Sequence, residues 1–293
     1  MLEISDVTKH FGERRALDSV SFTVGEGRLT GFVGGNGAGK TTTMRIMLGV
    51  LAADSGTVSL DGRPLTADDR RRFGYMPEER GLYPKMKVHE QLVYLARLRG
   101  LRAGDAATKA DELIDRLELT ERRDEPIEKL SLGNQQRAQI AAALVHDPDV
   151  LVLDEPFSGL DPMAVETVLG VLSERAARGV PVLFSSHQLD VVERLCDDIV
   201  VIAGGRIRAA GTRDELREAN AGKQYELQVA DDAAWVRELP EVDVVEFDGG
   251  YVLFEAEPAG AQSVLQHAAR RGAVHRFAPR RPTLTEIFRE VVQ

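Results

Sequence analysis

The sequence is poor in cysteine, in aromatic residues and in long apolar runs. Its 293 residues include one cysteine and one tryptophan, and aromatic residues make up 5% of the chain. A single cysteine, Cys196, excludes an intramolecular disulfide and favours a reducing compartment. The densest apolar segments, Ala138–Val145 and Val150–Leu153, are far shorter than the roughly 18 residues of a membrane span. The N-terminal segment also lacks the pattern of a secretory signal, so we expect neither feature.

An excess of positive charge is missing as well. The chain has 37 Lys and Arg against 47 Asp and Glu, a net charge of −10. Phosphate backbones attract basic surfaces, so this balance argues against general nucleic-acid binding. A content of 43% hydrophobic and 29% charged residues is that of an ordinary globular protein. At roughly 150 residues per domain, the length predicts about two domains.

Apolar spacing predicts the elements of the first part of the chain. Helical spacing predicts a helix over Met44–Leu51 and a helical insert at about residues 84–145. A helix over Ala164–Arg178 follows the apolar run at Val150–Leu153 and precedes another at Val180–Phe184, which predicts a mainly parallel sheet covered by helices. Further strands are predicted at Leu2–Val7, Val20–Val24, Leu29–Val33, Gly56–Leu60 and Phe73–Met76.

The C-terminal part predicts a smaller unit of different type. Its elements follow the order strand, short helix, strand, strand, helix, strand and final helix, which is typical of a ferredoxin-like α+β sandwich. We therefore expect an α/β domain over residues 1–220 and an accessory α+β domain over residues 222–293, with a boundary near Ala221-Gly222. The predicted segments are Tyr225–Val229, Ala233–Leu239, Val242–Phe247, Tyr251–Ala256, Ala261–Arg271, Ala273–Phe277 and Thr285–Val292.

One glycine-rich segment predicts binding of a nucleoside triphosphate. It follows an apolar strand, precedes a helix and fits the pattern G-x4-G-K-[ST]. Backbone N–H groups of such a loop cradle phosphate oxygens, and the helix N-terminus adds a partial positive charge. Lys40 is expected to reach the β- and γ-phosphates, and the Thr41 hydroxyl to ligate Mg²⁺. The segment consists of Gly34, Gly35, Asn36, Gly37, Ala38, Gly39, Lys40 and Thr41.

Two carboxylates end the apolar strand Val150–Leu153. At a strand end beside the phosphate loop, Asp154 can hold Mg²⁺ and Glu155 can orient or deprotonate an attacking water. The alternative is a strand that merely ends in two solvated acids. The phosphate loop earlier in the chain favours the catalytic interpretation.

Four further motifs resemble the nucleotide-binding subunits of ABC transporters. The segment Leu130–Arg137, reading LSLGNQQR, resembles the family's LSGGQ signature, and Phe157–Asp161 resembles its D-loop. His187 matches its switch histidine, and Phe11 lies where the family stacks an aromatic ring on adenine. The resemblance covers about residues 1–220 and implies the P-loop NTPase fold of the ABC cassette.

The resemblance also implies roles for these residues. Ser131, Gly133 and Asp161 would contact ATP bound by a second subunit, and His187 would contact the γ-phosphate. Thr42 would join the phosphate-loop contacts. Taken singly, Ser131 and Gly133 are also consistent with an ordinary helix start, His187 with a structural histidine and Phe11 with a core aromatic.

Three positions depart from the family pattern. Glu78 stands where the family has the Q-loop glutamine; a carboxylate can still ligate Mg²⁺, but it adds negative charge and cannot donate a hydrogen bond. Leu132 and Asn134 replace signature residues while Ser131 and Gly133 are retained. Gly35 replaces a frequent proline, with little expected effect.

Finer features resemble a bacterial exporter branch that includes sodium-efflux and antibiotic-resistance ATPases. They are the segment PEERGLYP after Phe73–Met76, the variant signature, and the tail Pro282–Phe288. The family also implies that membrane subunits dock on the helical insert, for which Tyr83, Met86 and the Val88–Leu98 face are candidates. These side chains are equally consistent with packing inside the insert.

The sequence thus predicts an ATP-hydrolysing subunit that powers an ABC transporter, an exporter, through ATP-driven dimer closure. The expected ligands are ATP and Mg²⁺. The expected partners are a second nucleotide-binding subunit, identical or not, and separate transmembrane permease subunits, with no nucleic acid. The expected location is cytoplasmic, on the inner face of the cell membrane. The alternatives are a non-transport ABC ATPase acting on ribosomes or DNA and a regulatory ATP-binding module.

Overall fold

The structure, a computed structural model, describes residues 1–79, 81–219, 223–280, 282–283 and 285–288, except for the side chain of Asp190. Several sequence predictions lie outside these residues: the boundary at Ala221-Gly222, Leu284 of the tail motif, and residues 289–292 of the final predicted helix. The chain forms two compact units, of which the first is Met1–Arg213 and the second begins at Asp214.

The first unit contains two sheets. One is antiparallel with the order β2-β1-β4-β5, and the other has the order β10-β9-β3-β8-β7-β6. Strands β9, β3, β8, β7 and β6 of the larger sheet are parallel, and β10 is an antiparallel edge. Their bounds are β1 (Leu2–Phe11), β2 (Arg14–Val24), β3 (Leu29–Val33), β4 (Ser55–Leu60), β5 (Arg63–Pro64), β6 (Phe73–Met76), β7 (Val150–Leu153), β8 (Val182–Ser186), β9 (Asp198–Ala203) and β10 (Arg206–Thr212).

Helices cover the larger sheet and form the insert that the sequence predicts. Three of them, α3 to α5, account for the predicted helical region between the phosphate loop and β7. The helices of the first unit are α1 (Lys40–Met47), α2 (Ala67–Arg71), α3 (Val88–Leu98), α4 (Ala103–Arg116), α5 (Leu132–Leu144), α6 (Pro162–Ala177) and α7 (Leu189–Leu195), with 3₁₀ turns at Thr120–Arg122 and Ile127–Lys129. Helix α8 (Arg213–Ala219) belongs to the second unit except for its first residue. Among the helices of the described residues, none combines the length and apolar character needed to cross a bilayer.

The bounds of α1 correct the prediction of a helix over Met44–Leu51. The helix begins earlier, at Lys40, because the phosphate loop leads directly into its first turn. It ends at Met47, since Gly49 adopts a left-handed conformation with φ +70° that a helix cannot continue through. The second half of the predicted segment is therefore a turn.

Burial explains why the central strands are continuous apolar runs. Every residue of β3, β7 and β8 is buried, as expected for a parallel sheet with helices on its faces. This confirms the predicted parallel sheet. Strand β8 begins at Val182 and not at Val180, because the proline at Pro181 has no N–H to contribute to a ladder.

The strand order of the larger sheet positions the functional segments. Strands β3, β8, β7 and β6 are neighbours and run in the same direction, so their carboxyl ends lie along one edge. The phosphate loop follows β3, His187 follows β8, Asp154 and Glu155 follow β7, and Glu78 lies after β6. Ligands of open α/β sheets bind at this edge.

The second unit has its own antiparallel sheet and its own core. The sheet order is β12-β13-β11-β14, so β13 lies between β11 and β12 in the split-βαβ arrangement that the sequence predicts. The predicted helix at Ala233–Leu239 is a short 3₁₀ turn, Ala234–Glu238, as is common for brief connectors. The other elements are β11 (Gln224–Val229), β12 (Asp243–Asp248), β13 (Tyr251–Glu255), α9 (Pro258–Arg271) and β14 (Val274–Pro279).

Candidate functional site

The phosphate loop joins β3 to α1 and fits tightly against its surroundings. At Gly34, an added Cβ would lie 2.5 Å from the carbonyl oxygen of Ile202, so only glycine fits. Gly39 immediately precedes α1 with φ +116°, a backbone conformation that favours glycine. The Lys40 ammonium donates to the Gly34 carbonyl at 2.6 Å, which holds its side chain along the loop.

A cavity of about 470 Å³ opens beside this loop. Its volume is within the range of sites for small organic ligands. The cavity brings together residues from four separate parts of the sequence, most of which the motifs single out. Its lining consists of Phe11, Arg14, Ala16, residues 35–42, Glu78, Asp154 and Glu155.

Asp154 is the most deeply buried acid of the cavity, with 1% of the residue exposed. Its Oδ2 accepts a hydrogen bond from the Thr41 hydroxyl at 2.9 Å. Its Oδ1 accepts from the Ser185 hydroxyl at 2.5 Å. The carboxylate is thus held between the phosphate loop and β8.

Glu155 is held through both its backbone and its side chain. Its N–H donates to the Ser185 hydroxyl at 2.8 Å, and its backbone has φ +54°, which is uncommon for a residue with a side chain. Its Oε2 lies 2.9 Å from Nδ1 of His187. The Glu155 side chain is 12% exposed and the His187 side chain 56% exposed, so the pair faces solvent from the histidine side. The sequence predicts both members but assigns no role to Ser185, whose signal is its place in the Ser185-Ser186-His187 motif.

Glu78 is exposed and lines the cavity wall after β6. The acidic charge of the cavity also affects Tyr75, which lies in β6 before Glu78. Burial of the Tyr75 phenol, together with the negative charge of Asp154, raises its pKa above the usual range. Acidic groups thus concentrate along this side of the cavity.

Two motif segments begin helices outside the cavity lining. Ser131 caps α5 by accepting from the Asn134 N–H at 3.3 Å, and Asp161 caps α6 by accepting from the Ala164 N–H at 2.9 Å. Both residues are exposed, and an added Cβ at Gly133 would lie 3.5 Å from the Gly159 carbonyl, so the two helix starts are adjacent. Within the described residues, Ser131, Gly133 and Asp161 do not line the cavity of their own chain.

Phe11 ends β1 with 51% of the residue exposed, so it is not the core aromatic that the sequence left as an alternative. The Lys9 ammonium lies 5.8 Å from its ring centroid. Arg14 and Ala16 line the cavity nearby, and the sequence analysis missed both. Their signal is their position just beyond Phe11, at the start of β2.

The histidines of the second unit form no metal site in the described part of the chain, where no group of three or more candidate ligands occurs. His267 contacts the Ser263 carbonyl of its own helix at 2.9 Å, and His275 is exposed. The unit thus adds no metal-binding cluster to the described residues.

Family comparisons agree with the motifs. The family model described as ABC transporter matches residues 17–158. The model described as the C-terminal domain of ATP-binding protein DrrA1-3-like matches residues 211–292.

Three relatives match at similar identity. The ABC transporter ATP-binding protein YhaQ of Bacillus subtilis is 38% identical over 293 residues, covering 100% of this chain and 98% of the relative. The linearmycin resistance ATP-binding protein LnrL of Bacillus subtilis is 35% identical and covers 74% of this chain and 70% of the relative. The Nod factor export ATP-binding protein I of Burkholderia lata is 39% identical and covers 75% of this chain and 74% of the relative.

A solved structure has the same fold. The ATP-binding subunit of an ABC transporter superposes with a TM-score of 0.69 at 33% identity, covering 75% of this chain and 92% of that one. Sequence motifs, cavity and fold therefore point to the same family.

Proposed function

Since the chain belongs to the ABC transporter family, as an ATP-binding subunit that hydrolyses ATP, we propose which of its residues perform that hydrolysis. Glu155 orients and deprotonates the attacking water, and His187 contacts the γ-phosphate and holds Glu155 in place. The contact of 2.9 Å between Nδ1 of His187 and Oε2 of Glu155 carries this proposal, since Glu155 lines the phosphate-loop cavity.

The phosphate loop binds the triphosphate. Its backbone N–H groups and the N-terminus of α1 provide positive potential, and Lys40 supplies a full charge. Phe11 supports the adenine, since its exposed ring lies on the cavity wall. Thr42 and Arg14 complete the polar lining.

The donor set at the cavity fits Mg²⁺. Thr41 and Asp154 present oxygen atoms that lie 2.9 Å apart, and Mg²⁺ in such sites takes few protein ligands beside substrate phosphates. Thr41 and Asp154 would hold the ion, with Glu78 on the same cavity wall. When bound, the ion neutralises charge that develops on the phosphate oxygens.

A second nucleotide-binding subunit completes the site. Ser131, Gly133 and Asp161 are proposed to contact ATP held by that subunit. The exposure of Ser131 and Asp161, and the position of all three residues at two adjacent helix starts away from the cavity lining of their own chain, support this arrangement. The partner subunit is either a second copy or a related chain.

Coupling to transport requires a membrane partner. We propose that separate transmembrane permease subunits dock on the helical insert, which places the chain on the inner face of the cell membrane. Tyr83 and Tyr94 are exposed and their rings meet edge to face at 6.0 Å, whereas Val88 and Leu92 are buried. The docking surface is therefore the Tyr83–Tyr94 side of the insert, and not the whole Val88–Leu98 face.

Export is the proposed direction of transport. The names of two relatives, a resistance ATPase and an export ATPase, support it. The net charge of −10 gives no support for a nucleic-acid partner.

Glu155→Gln tests the proposal directly. The amide keeps the shape of the side chain but cannot take the proton of the attacking water, so we expect turnover to fall at least about a hundredfold. ATP binding should persist, and an ATP-bound dimer should accumulate. Phosphate release and light scattering after size exclusion measure the two effects. Glu121→Gln, on an exposed 3₁₀ turn, is the control, and unchanged turnover in Glu155→Gln would remove Glu155 from its role.

A further inference from the structure

Three glutamines near the start of α5 each donate to two backbone carbonyls. Gln136 and Gln139 are 5% and 4% exposed, lie three positions apart and therefore share one face of the helix. Gln135 points elsewhere and donates to Ile127 and Leu130, in the segment that precedes the helix. Such buried amides are unusual enough to require an explanation, because polar groups are costly to bury unless they are paired.

Gln136 holds the backbone of Glu155. Its Nε2 donates to the Glu155 carbonyl at 2.9 Å and to the Pro156 carbonyl at 3.1 Å. The N–H of Glu155 is held by Ser185, so the residue is fixed on both sides. This fixation stabilises a left-handed conformation, φ +54°, that a glutamate does not readily adopt alone.

Gln139 holds the loop that carries Glu78. Its Nε2 donates to the Pro77 carbonyl at 2.6 Å and to the Glu79 carbonyl at 3.2 Å. These carbonyls belong to the residues immediately before and after Glu78. The amide thus fixes the backbone on both sides of this residue while leaving its carboxylate free to face the cavity.

We infer that Gln136 and Gln139 are positioning residues through which α5 sets the places of Glu155 and Glu78. This inference rests on the proposed roles of those two acids and extends them. The start of the same helix carries Ser131 and Gly133. In the proposed dimer, ATP held by the other subunit would therefore contact the helix that holds the loops of Glu155 and Glu78.

The test compares Gln136→Met and Gln139→Met with the control Arg70→Met in the full chain. The Arg70 side chain also donates to two backbone carbonyls, those of Met47 and Leu65, and it lies outside both the signature segment and the cavity lining. Methionine has similar length and volume but cannot donate, so each variant removes two hydrogen bonds to backbone carbonyls. We expect turnover at saturating ATP and Mg²⁺ to fall about tenfold in the first two variants, with the dissociation constant of a fluorescent ATP analogue changed less than twofold. Arg70→Met should lower the melting temperature comparably and change turnover less than twofold.

A double-mutant cycle separates positioning from general destabilisation. If Gln136 acts through Glu155, adding Gln136→Met to Glu155→Gln should cause no further loss of turnover. Adding Gln139→Met to Glu78→Ala should likewise have no further effect. Losses that multiply in both cycles would overturn the inference while leaving the role of Glu155 intact, and an active Glu155→Gln would instead overturn the proposed function. Should a methionine variant fail to fold, Gln136→Glu and Gln139→Glu place a carboxylate against the same carbonyls, and unchanged turnover in these variants would equally overturn the inference.

Discussion

At the scale of single residues, the phosphate loop depends on how closely its backbone approaches the strand beside it. Gly34 lies against the Ile202 carbonyl, whereas Gly35 has open space where a Cβ would be. Two consecutive glycines therefore serve different purposes. The first permits the close approach, whereas a Cβ at the second would meet no atom within 4 Å.

Gly34→Ala should therefore weaken nucleotide binding. Its methyl group would press on backbone at 2.5 Å, and relieving such a contact costs about 1–3 kcal/mol. We expect at least about a tenfold loss of ATP affinity, measured by fluorescence titration, and a lower melting temperature. Gly35→Ala is the control and should change affinity less than twofold. Equal effects of the two substitutions would contradict this interpretation.

At the scale of elements, α5 connects several parts of the first unit. Its start carries the signature residues, its middle carries the buried amides, and just beyond its end His146 contacts the Phe73 carbonyl of β6 at 3.2 Å. Burial lowers the pKa of His146 to about 4, and the nearby charge of Arg99 acts in the same direction. The ring is therefore neutral near pH 7 and donates from Nε2.

This histidine should make stability depend on pH between about 6.5 and 4. Below its ordinary value of 6.5 the unfolded chain takes up a proton that the folded chain does not, so the stabilisation is present above 6.5 and lost as the pH falls toward 4. Denaturant unfolding at pH 7 and pH 4.5 measures the loss.

His146→Gln should weaken the dependence of stability on pH between about 6.5 and 4. The hydrogen bond from Lys9 lowers the pKa of Asp54 from 3.8 to about 2. The stabilisation that Asp54 contributes is therefore lost only at pH values below the range between about 6.5 and 4 that is assigned to His146. If the free energy of unfolding fell equally in the two proteins between pH 6.5 and 4.5, His146 would be excluded as the cause.

At the scale of the whole molecule, each of the two units has a hydrophobic core among the residues that the structure describes. One centres on residues such as Phe32, Met44 and Phe73 in the first unit, and the other on Phe254 and its neighbours in the second. Every residue that lines the cavity belongs to the first unit. We therefore expect nucleotide binding to need no side chain of the second unit.

Deleting residues 222–293 should leave ATP affinity within about twofold of the full chain, because the phosphate-loop contacts remain. The change expected is in dimerisation or in activity with the membrane partner, since we propose a regulatory or dimer-stabilising role for the second unit. A fluorescent-nucleotide titration and light scattering measure the two properties. A truncated chain that folds but cannot bind ATP would contradict the assignment of nucleotide binding to the first unit.

Local chemistry was predictable from the sequence alone. The phosphate loop, the acids at the end of Val150–Leu153 and the helix start at Ser131 each lie within a few consecutive residues, so their signals are contiguous. Buried parallel strands were predictable for the same reason, since burial on both faces requires an unbroken apolar run. The ends of helices, as at Gly49, were less predictable from the sequence because a single backbone angle decides them.

Only the tertiary structure decided which segments meet. The order β3-β8-β7-β6 brings together strand ends that are far apart in sequence, and no local pattern encodes that adjacency. Ser185 and the buried amides of Gln136 and Gln139 acquire their partners in the same way. A hydrogen bond depends on distance in space. The sequence of this protein therefore determines which chemical groups it has, and the packing of its sheet and of α5 determines which of them become partners.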